Sequence, residues 1–181
     1  AICVEGAFEM WATQVTKDIV VVDYDERWPT WFEEISAVVW PAVADVAVRI
    51  DHVGSTSVPG VAAKPIIDMD VVVASESDVR PAIRALRDAG WLWRGDLGVE
   101  GRQAFGPLPA RRDLPAHHLY LVVDGNRAHL DHMLLRGLLR RDAEARQRYG
   151  ALKQANVEVA QGDIDVYVAA KASFIAELLT R

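Results

Sequence analysis

Two aspartates stand at alternate positions in an otherwise apolar run, IIDMDVVV, at residues 66–73. Successive side chains of a strand point to opposite faces, so Asp68 and Asp70 are predicted to project together from one face of a buried strand. Two uncompensated carboxylates side by side repel each other, and removing them from water is costly. A divalent cation such as Mg²⁺ or Mn²⁺ would relieve both problems, because these ions prefer oxygen ligands and leave room for substrate phosphates.

A Gly-Ser turn precedes this strand, at the end of another short apolar run. Gly54 permits close backbone approaches, while Ser55, Thr56 and Ser57 add hydroxyl groups. Such a turn can offer N–H and O–H groups to phosphate oxygens, so we expect these four residues to form a phosphate-binding turn. Capping of the loop is the alternative role for the hydroxyls. His52, just before the turn, either polarises a substrate group or is buried and bonded to a backbone carbonyl.

The order of these features, Gly-Ser on a turn and then Asp-x-Asp on the next strand, resembles the nucleotidyltransferase superfamily. The longer motifs HVGSTSVPG and AKPIIDMDV resemble the GrpB family. The resemblance extends over residues 19–181 through VVDYDERWPTWFEEI, HHLYLVV, LRGLLRRDAEARQRYGALK and YVAAKASFIAELL. It implies an α+β fold, with a nucleotidyltransferase-like mixed β-sheet, helices packed on it and a helical C-terminal segment. Residues 1–18 lie outside it and are interpreted as an extension, native or left over from cloning.

Four basic residues are further candidates for the nucleotide site. Lys153 and Lys171 match lysines in the helical motifs of the family, and each follows a tyrosine by four residues. Packing of each lysine stem on that ring is the alternative to nucleotide binding. Lys64 could reach a phosphate or balance the two aspartates, with a solvated loop lysine as the alternative. Arg136 matches an arginine of the family and is another site candidate; the family commonly has an acidic residue after it, but this chain has Gly137, so an ion pair between these two positions is absent.

The third carboxylate of a two-metal transferase is missing from the segment where the family resemblance places it. Residues 117–123 hold His117, His118 and Tyr120 instead, and His118 and Tyr120 are predicted to share one strand face while His117 points to the other. A neutral imidazole can bind a metal, so the sequence predicts a metal site of Asp68, Asp70 and His118. Such a site favours Mn²⁺ or Zn²⁺ more than three carboxylates would.

The function that follows is a metal-dependent nucleotidyltransferase, with Asp68 and Asp70 as its catalytic residues. It would transfer a nucleoside monophosphate from an NTP to a small-molecule acceptor. A non-catalytic protein of the same fold, which binds a nucleotide or a phosphometabolite, is the alternative. A phosphate-ester hydrolase with a histidine-bound metal is the third possibility. The sequence does not decide whether the protein is an enzyme, and it leaves the oligomeric state open.

Composition excludes several other classes of protein. The net charge of −6 and the pI near 5.3 weigh against a long nucleic acid as partner. The single cysteine, Cys3, excludes an internal disulfide and a thiolate zinc cluster. No apolar run approaches the roughly 20 residues of a membrane span, and the N-terminus lacks the pattern of a signal peptide. We therefore expect a cytoplasmic protein that does not enter membranes.

Hydrophobic periodicity and turn residues predict the elements along the chain. Strands are predicted at 18–23, 46–53, 66–73, 91–94 and 117–123, and helices from Pro29 and at 75–89, 127–141, 142–160 and 163–180. Residues 95–116 are predicted as a long loop that could contain a hairpin around 103–107. Strands first and helices last predict a sheet with helices packed on one side. The arginines between residues 136 and 148 are predicted to form a solvated helix face with Asp142 and Glu144.

Overall fold

The computed structural model describes residues 20–107 and 113–160, together with residues 174, 175 and 177. Five strands lie in this part of the chain: β1 (Ala47–Val53), β2 (Ile67–Val73), β3 (Trp91–Trp93), β4 (Arg102–Pro107) and β5 (His117–Val123). They form one sheet in the order β1-β2-β5-β4-β3. Strands β2 and β5 are parallel, whereas the other neighbours are antiparallel, so the predicted mixed sheet is confirmed.

Four α-helices are described: α1 (Trp28–Val43), α2 (Glu76–Asp88), α3 (Arg127–Arg141) and α4 (Ala143–Ala160). At two of these helices, the residue that precedes the first turn caps the helix. The N–H of Ser75 donates to the Asp78 carboxylate over 3.1 Å, which completes a capping box at α2. The Asn126 side chain accepts a 2.9 Å bond from the His129 N–H and caps α3. The predicted helix at 163–180 lies outside the described residues.

The main hydrophobic core covers one face of the sheet. Met69 and Val71 of β2 and Leu119 of β5 point into it and are fully buried. Helices α1 and α2 supply its other side, with Trp28 and Leu86 among the largest buried side chains. Because side chains alternate along a strand, this apolar face leaves the even-numbered residues of β2 on the other face. Both aspartates therefore point away from the main core.

Helix α3 covers that second face, so the prediction of helices on one side only is wrong. His132 of α3 contacts the buried Asp70 of β2, and Arg136 reaches the backbone of β1. The physical reason is the chemistry of the face itself. A strand face with two carboxylates cannot pack against an apolar helix, but a helix that presents imidazole and guanidinium groups supplies hydrogen-bond donors.

Two predicted elements differ in detail. The strand predicted at 18–23 is reduced to a single bridge between Val22 and Ala63, with residues 18 and 19 outside the described part. The hairpin considered around 103–107 is present: residues 102–107 form strand β4, which pairs antiparallel with both β3 and β5. Glycines at positive φ lie in the turns between β3 and β4. Among the described residues, no helix is both long enough and apolar enough to cross a bilayer.

Candidate nucleotide and metal site

Three neighbouring strands bring the predicted site residues to one face of the sheet. In the parallel pair β2–β5, Asp68 lies opposite His118 and Asp70 lies opposite Tyr120. This register confirms the prediction that His118 and Tyr120 share a face. In the antiparallel pair β1–β2, Asp51 lies opposite Asp70, so a third carboxylate reaches the same face from β1. The sequence had predicted no acidic residue there.

The Gly-Ser turn lies directly against the first aspartate. Gly54 has a φ of +68°, which L side chains rarely adopt. A Cβ at this position would overlap the Asp68 carboxylate and lie 2.9 Å from the Asp68 Cβ atom. Only glycine therefore allows the turn and the carboxylate to meet, and the two features belong to one site.

The hydroxyl groups of the turn hold its shape. Ser57 Oγ donates to the Gly54 carbonyl over 2.6 Å, and Thr56 Oγ1 lies 3.0 Å from Nε2 of His52. Both Thr56 and Ser57 are buried, whereas Ser55 is partly exposed. The capping role that the sequence left open thus describes Ser57, and Ser55 is the hydroxyl best exposed to a ligand.

Two histidines predicted as candidates point away from the aspartates. His52 stacks on Phe32 with ring centroids 4.8 Å apart, and burial lowers its pKa to about 4, so its imidazole stays neutral at physiological pH. Its ring bonds to Thr56 rather than to a backbone carbonyl. His117 is buried on the core face, as predicted, with Nδ1 2.7 Å from the Pro115 carbonyl oxygen and Trp91 donating to Nε2.

Each aspartate of the Asp-x-Asp pair has an imidazole partner. His118 Nδ1 lies 2.9 Å from Asp68 Oδ1. His132 Nδ1 lies 2.8 Å and His129 Nδ1 3.4 Å from Asp70 Oδ2. The assumption that the two carboxylates are uncompensated is therefore wrong. Side chains from β5 and α3, remote in sequence, supply hydrogen bonds that no spacing within residues 66–73 could reveal.

The tautomer of His129 follows from Arg49. Arg49 Nη2 lies 3.1 Å from His129 Nε2, and a guanidinium can only donate, so Nε2 accepts and the ring proton is on Nδ1. Nδ1 then donates to Asp70. Nε2 also lies 3.6 Å from Asp51 and 3.8 Å from Asp124, but it carries no proton to donate in this tautomer, so we assign the hydrogen bonds of these carboxylates to Arg49. Arg49 binds both carboxylates directly, at 3.0 and 2.6 Å.

Among the described residues, Asp70 and His132 form the shortest imidazole–carboxylate contact of the site, at 2.8 Å. Burial alone would raise the pKa of Asp70, but the hydrogen bonds from His129 and His132 outweigh it and hold that pKa below its usual range. Burial alone would lower the pKa of His132, but the hydrogen bond to Asp70 and the Asp70 charge hold it above its usual range. The folded state therefore favours the pair of carboxylate and imidazolium.

This pair predicts a pH window of added stability. The pair stabilises the folded state at pH values above the unfolded-state pKa of Asp, near 3.9, and this stabilisation is lost as pH falls through the lower folded-state pKa of Asp70. The stabilisation is likewise present below the unfolded-state pKa of His, near 6.5, and is lost as pH rises through the higher folded-state pKa of His132. Urea unfolding from pH 4 to 9 should show wild type exceeding His132→Gln most between about pH 4 and 6.5. A difference that stays constant from pH 5 to 9 would contradict the assignment.

Two arginines of α3 bind the backbone around the turn. Arg136 Nη1 donates to the His52 carbonyl over 2.7 Å, and Arg140 donates to the Ser57 carbonyl through Nη2 at 2.7 Å and Nε at 3.1 Å. The solvated helix face predicted for this segment is thus wrong for the partly buried Arg136, because the turn offers carbonyl acceptors directly beside α3, whereas Arg140 is exposed as predicted and also binds the turn. Their guanidinium groups place positive charge around the Gly-Ser turn.

Two of the three candidate lysines, Lys64 and Lys153, lie in the described part of the chain. Lys64 is half-buried in the segment just before β2. Lys153 is 2% exposed, with its Nζ 4.4 Å from the ring centre of Tyr149, which confirms the predicted contact between that tyrosine and its lysine. Lys171 and Tyr167 lie outside the described residues. Nucleotide binding by the three lysines stays a prediction.

Tyr120 lies between two imidazoles of the site. Its ring centre is 6.1 Å from those of His118 and His132. Burial, followed by the charge of Asp68, raises its pKa well above the usual range, so its hydroxyl stays protonated and can act as a donor.

The donor set decides what kind of metal site these residues can form. Among the described residues, no group of three or more His, Cys, Asp or Glu side chains is arranged to hold a metal ion by itself. The Asp70 Oδ1 atom, however, is buried without a hydrogen-bond partner in the described part of the chain. Two carboxylates, one of which has an unpartnered oxygen, fit Mg²⁺, because this ion is commonly held by one or two carboxylates plus substrate phosphates. Asp68 and Asp70 would hold it, with phosphate oxygens completing its coordination.

Sequence reasoning missed several residues of the site. His129 and His132 are three residues apart on α3, a spacing that puts two side chains on one helix face, and this signal was present in RAHLDHM. Nothing in the sequence linked that face to Asp70, because the contact spans 62 residues of chain. Arg49 and Asp51 alternate along β1, but their position beside Asp70 depends on the strand register.

Comparison with known proteins identifies the family of the chain. The family model described as "GrpB protein" matches residues 18–181. The UPF0157 protein YqkA of Bacillus subtilis is 30% identical over 159 residues, which cover 88% of this chain and 46% of YqkA. The chain thus spans about half the length of that relative. The crystal structure of the conserved protein GrpB from Enterococcus faecalis superimposes with a TM-score of 0.74 at 29% identity, covering 89% of this chain and 98% of that one.

A more distant likeness concerns the fold alone. The structure of Cid1 in complex with its short product ApU has a TM-score of 0.53 at 9% identity and covers 73% of this chain and 42% of Cid1. Another Cid1 structure is described as a poly(U) polymerase with bound MgGTP. The fold is therefore nucleotidyltransferase-like. The family model, which matches nearly the whole chain, shows that the protein belongs to the GrpB family.

Proposed function

We propose that this GrpB-family protein is a metal-dependent nucleotidyltransferase that acts on a small molecule. The observation that carries the proposal is the contact between the Gly54 turn and Asp68, on the face that also presents Asp70. A turn suited to phosphates meets a carboxylate pair suited to a divalent ion, and a nucleotide with its metal needs both.

The residues of the chain would divide the work as follows. Gly54 and Ser55 bind the β- and γ-phosphates, and the positive charge of Arg136 and Arg140 around the turn favours the same anion. Asp68 and Asp70 would hold the divalent ion, and their place beside the turn would put it next to the bound phosphates. Mg²⁺ or Mn²⁺, when bound, supplies Lewis-acid stabilisation of the transferring phosphoryl group.

The proposed reaction is a displacement at the α-phosphorus of an NTP. An acceptor hydroxyl oxygen forms a bond to the α-phosphorus, and the bond from that phosphorus to the bridging oxygen of pyrophosphate breaks. The products are the nucleotidylated acceptor, pyrophosphate and one proton, which is released to solvent. The acidic net charge of −6 favours a small acceptor over a long nucleic acid.

A specific observation favours the second candidate, a non-catalytic nucleotide-binding protein. His118 and His132 already occupy one oxygen of each aspartate, and no third carboxylate stands on β5. Ligand binding without turnover is the expected behaviour if these imidazoles stay on the carboxylates. His118 would be a metal ligand in the transferase and an orienting partner of Asp68 in the binding protein.

Nucleotide binding is tested by thermal unfolding with Mg²⁺ or Mn²⁺ and ATP, CTP, GTP or UTP. A ligand present at 100 times its Kd should stabilise the folded state by about 2.7 kcal/mol. The metal alone should have a smaller effect than the metal with nucleotide, because phosphates complete its coordination. If no combination raises the melting temperature, both candidate functions fail.

Turnover is tested by pyrophosphate release with a panel of small acceptors. We expect His118→Ala to lose activity more than stability, and His118→Asp to retain or improve activity with Mg²⁺, since a carboxylate oxygen suits that ion better than imidazole. Binding without pyrophosphate release in the wild type would favour the non-catalytic protein. Equal activity in His118→Ala would show that this histidine is not a metal ligand.

A further inference from the structure

The guanidinium group of Arg102 has no hydrogen-bond acceptor among the described residues. It forms no hydrogen bond or ion pair with any residue that the structure describes, and its Nε atom is buried. Its Cζ atom lies 4.3 Å from the ring centre of Tyr120, so the cation rests on an aromatic face. A stacked guanidinium keeps its edge donors available, and buried donors left without acceptors are costly. The buried Nε–H therefore lacks an acceptor among the described residues, and an anion bound at the edge of the guanidinium would supply one.

Arg102 belongs to the same face of the sheet as the aspartates. Strand β4 pairs with β5 so that Arg102 lies opposite Val122 and Ala104 opposite Tyr120. The next residue on this face, Gly106, is also small, and a Cβ there would come within 2.7 Å of the Arg94 guanidinium. The small residues Ala104 and Gly106 thus leave room on this face next to Arg102, which lies over Tyr120, while Arg94 lies against Gly106.

The charges of the face are separated along the sheet. The carboxylates of Asp68 and Asp70 stand on β2, Tyr120 stands on β5, and Arg102 stands on β4. The charge of Arg102 acts on Tyr120 and on His132 against the charges of the two aspartates. A ligand that carries an anionic group would therefore be bound with that group toward β4 and its remainder toward the aspartates.

We propose that Arg102 binds the anionic group of the acceptor substrate, and that the acceptor is a small alcohol carrying a phosphate or a carboxylate. The proposal rests on the proposed nucleotidyl transfer. A planar guanidinium binds either oxyanion through two parallel N–H donors, which positions the acceptor as well as holding it. Tyr120 can add its hydroxyl as a further donor. The Gly54 turn is left for the nucleotide phosphates.

The test compares three probes that share hydroxyl groups: glycerol, glycerate and glycerol 3-phosphate. Binding is measured by calorimetry and by NMR titration for wild type, Arg102→Gln, Arg102→Lys and the control Arg84→Gln. Arg84 is an exposed residue of α2, a helix that packs on the opposite face of the sheet. Binding of ATP with Mg²⁺ is measured in parallel for every variant, and circular dichroism monitors folding.

Wild type and Arg84→Gln should bind glycerate or glycerol 3-phosphate at least about tenfold more tightly than glycerol, and Arg102→Gln should lose that preference. Arg102→Lys keeps a positive charge against the Tyr120 ring but loses the planar guanidinium, so it should retain part of the preference for the anionic probes. Whichever of the two anionic probes binds more tightly, glycerate or glycerol 3-phosphate, shows whether the site binds a carboxylate or a phosphate. Equal binding of all three probes by wild type, or an unchanged preference in Arg102→Gln, would overturn the proposal.

The same measurements separate this proposal from the proposed function. If ATP with Mg²⁺ binds to wild type and to Arg102→Gln alike while only the anion preference is lost, both stand. If the anion preference depends on Arg102 but no nucleotide binds, the anion site stands and nucleotidyl transfer fails. If nucleotide binding falls with the anion preference in a folded Arg102→Gln variant, Arg102 serves the nucleotide and the acceptor assignment fails.

Discussion

Gly54→Ala is expected to abolish binding of ATP with Mg²⁺ and to lower the free energy of unfolding by about 2–4 kcal/mol. Two effects add at this position. The φ of +68° is strained for any residue with a Cβ, and that Cβ would overlap the Asp68 carboxylate. The side chain can relax only by displacing Asp68 or the turn, and either movement separates the two halves of the proposed site.

Gly98→Ala is the matched control for this prediction. Gly98 has a φ of +76°, so its substitution introduces similar backbone strain, but a Cβ there meets no atom within 4 Å. We expect this variant to lose about 1–2 kcal/mol and to bind nucleotide like the wild type. Urea unfolding and calorimetric titration measure both quantities. Normal nucleotide binding in a folded Gly54→Ala variant would remove the turn from the site.

Asp70→Asn is expected to eliminate metal-dependent nucleotide binding and to destabilise the fold by about 2–3 kcal/mol. The carboxylate is fully buried and accepts bonds from two imidazoles. An amide accepts those bonds more weakly and brings two N–H donors into a region that already supplies donors. The repulsion argument from the sequence alone leads to the opposite expectation, a neutral or stabilising change, so this substitution also tests the imidazole pairing.

Asp45→Asn provides the comparison, since Asp45 is exposed between α1 and β1. Its loss should change the free energy of unfolding by less than about 0.5 kcal/mol and leave binding unaffected. Chemical unfolding measures stability, and calorimetry with ATP and Mg²⁺ measures affinity. Wild-type affinity in a folded Asp70→Asn variant would exclude this residue from the metal site, and increased stability would show that the two aspartates repel.

Local sequence patterns determined the elements that carry the site. The alternation in IIDMDVVV was sufficient to place Asp68 and Asp70 on one strand face, and the same period separated His118 from His117. Gly54 was correctly identified as a position for close approach, because few residues besides glycine tolerate such a backbone. These predictions succeeded because each depends on the geometry of a few consecutive residues.

Tertiary structure alone decided what those side chains meet. The register of β1 against β2 brought Asp51 opposite Asp70, and the packing of α3 on the sheet brought His129 and His132 to the same carboxylate. Arg102 reached Tyr120 through the pairing of β4 with β5, in a segment predicted as a long loop that could contain a hairpin. Strand register and helix placement are set by the packing of the whole core, and no short stretch of sequence contains that information.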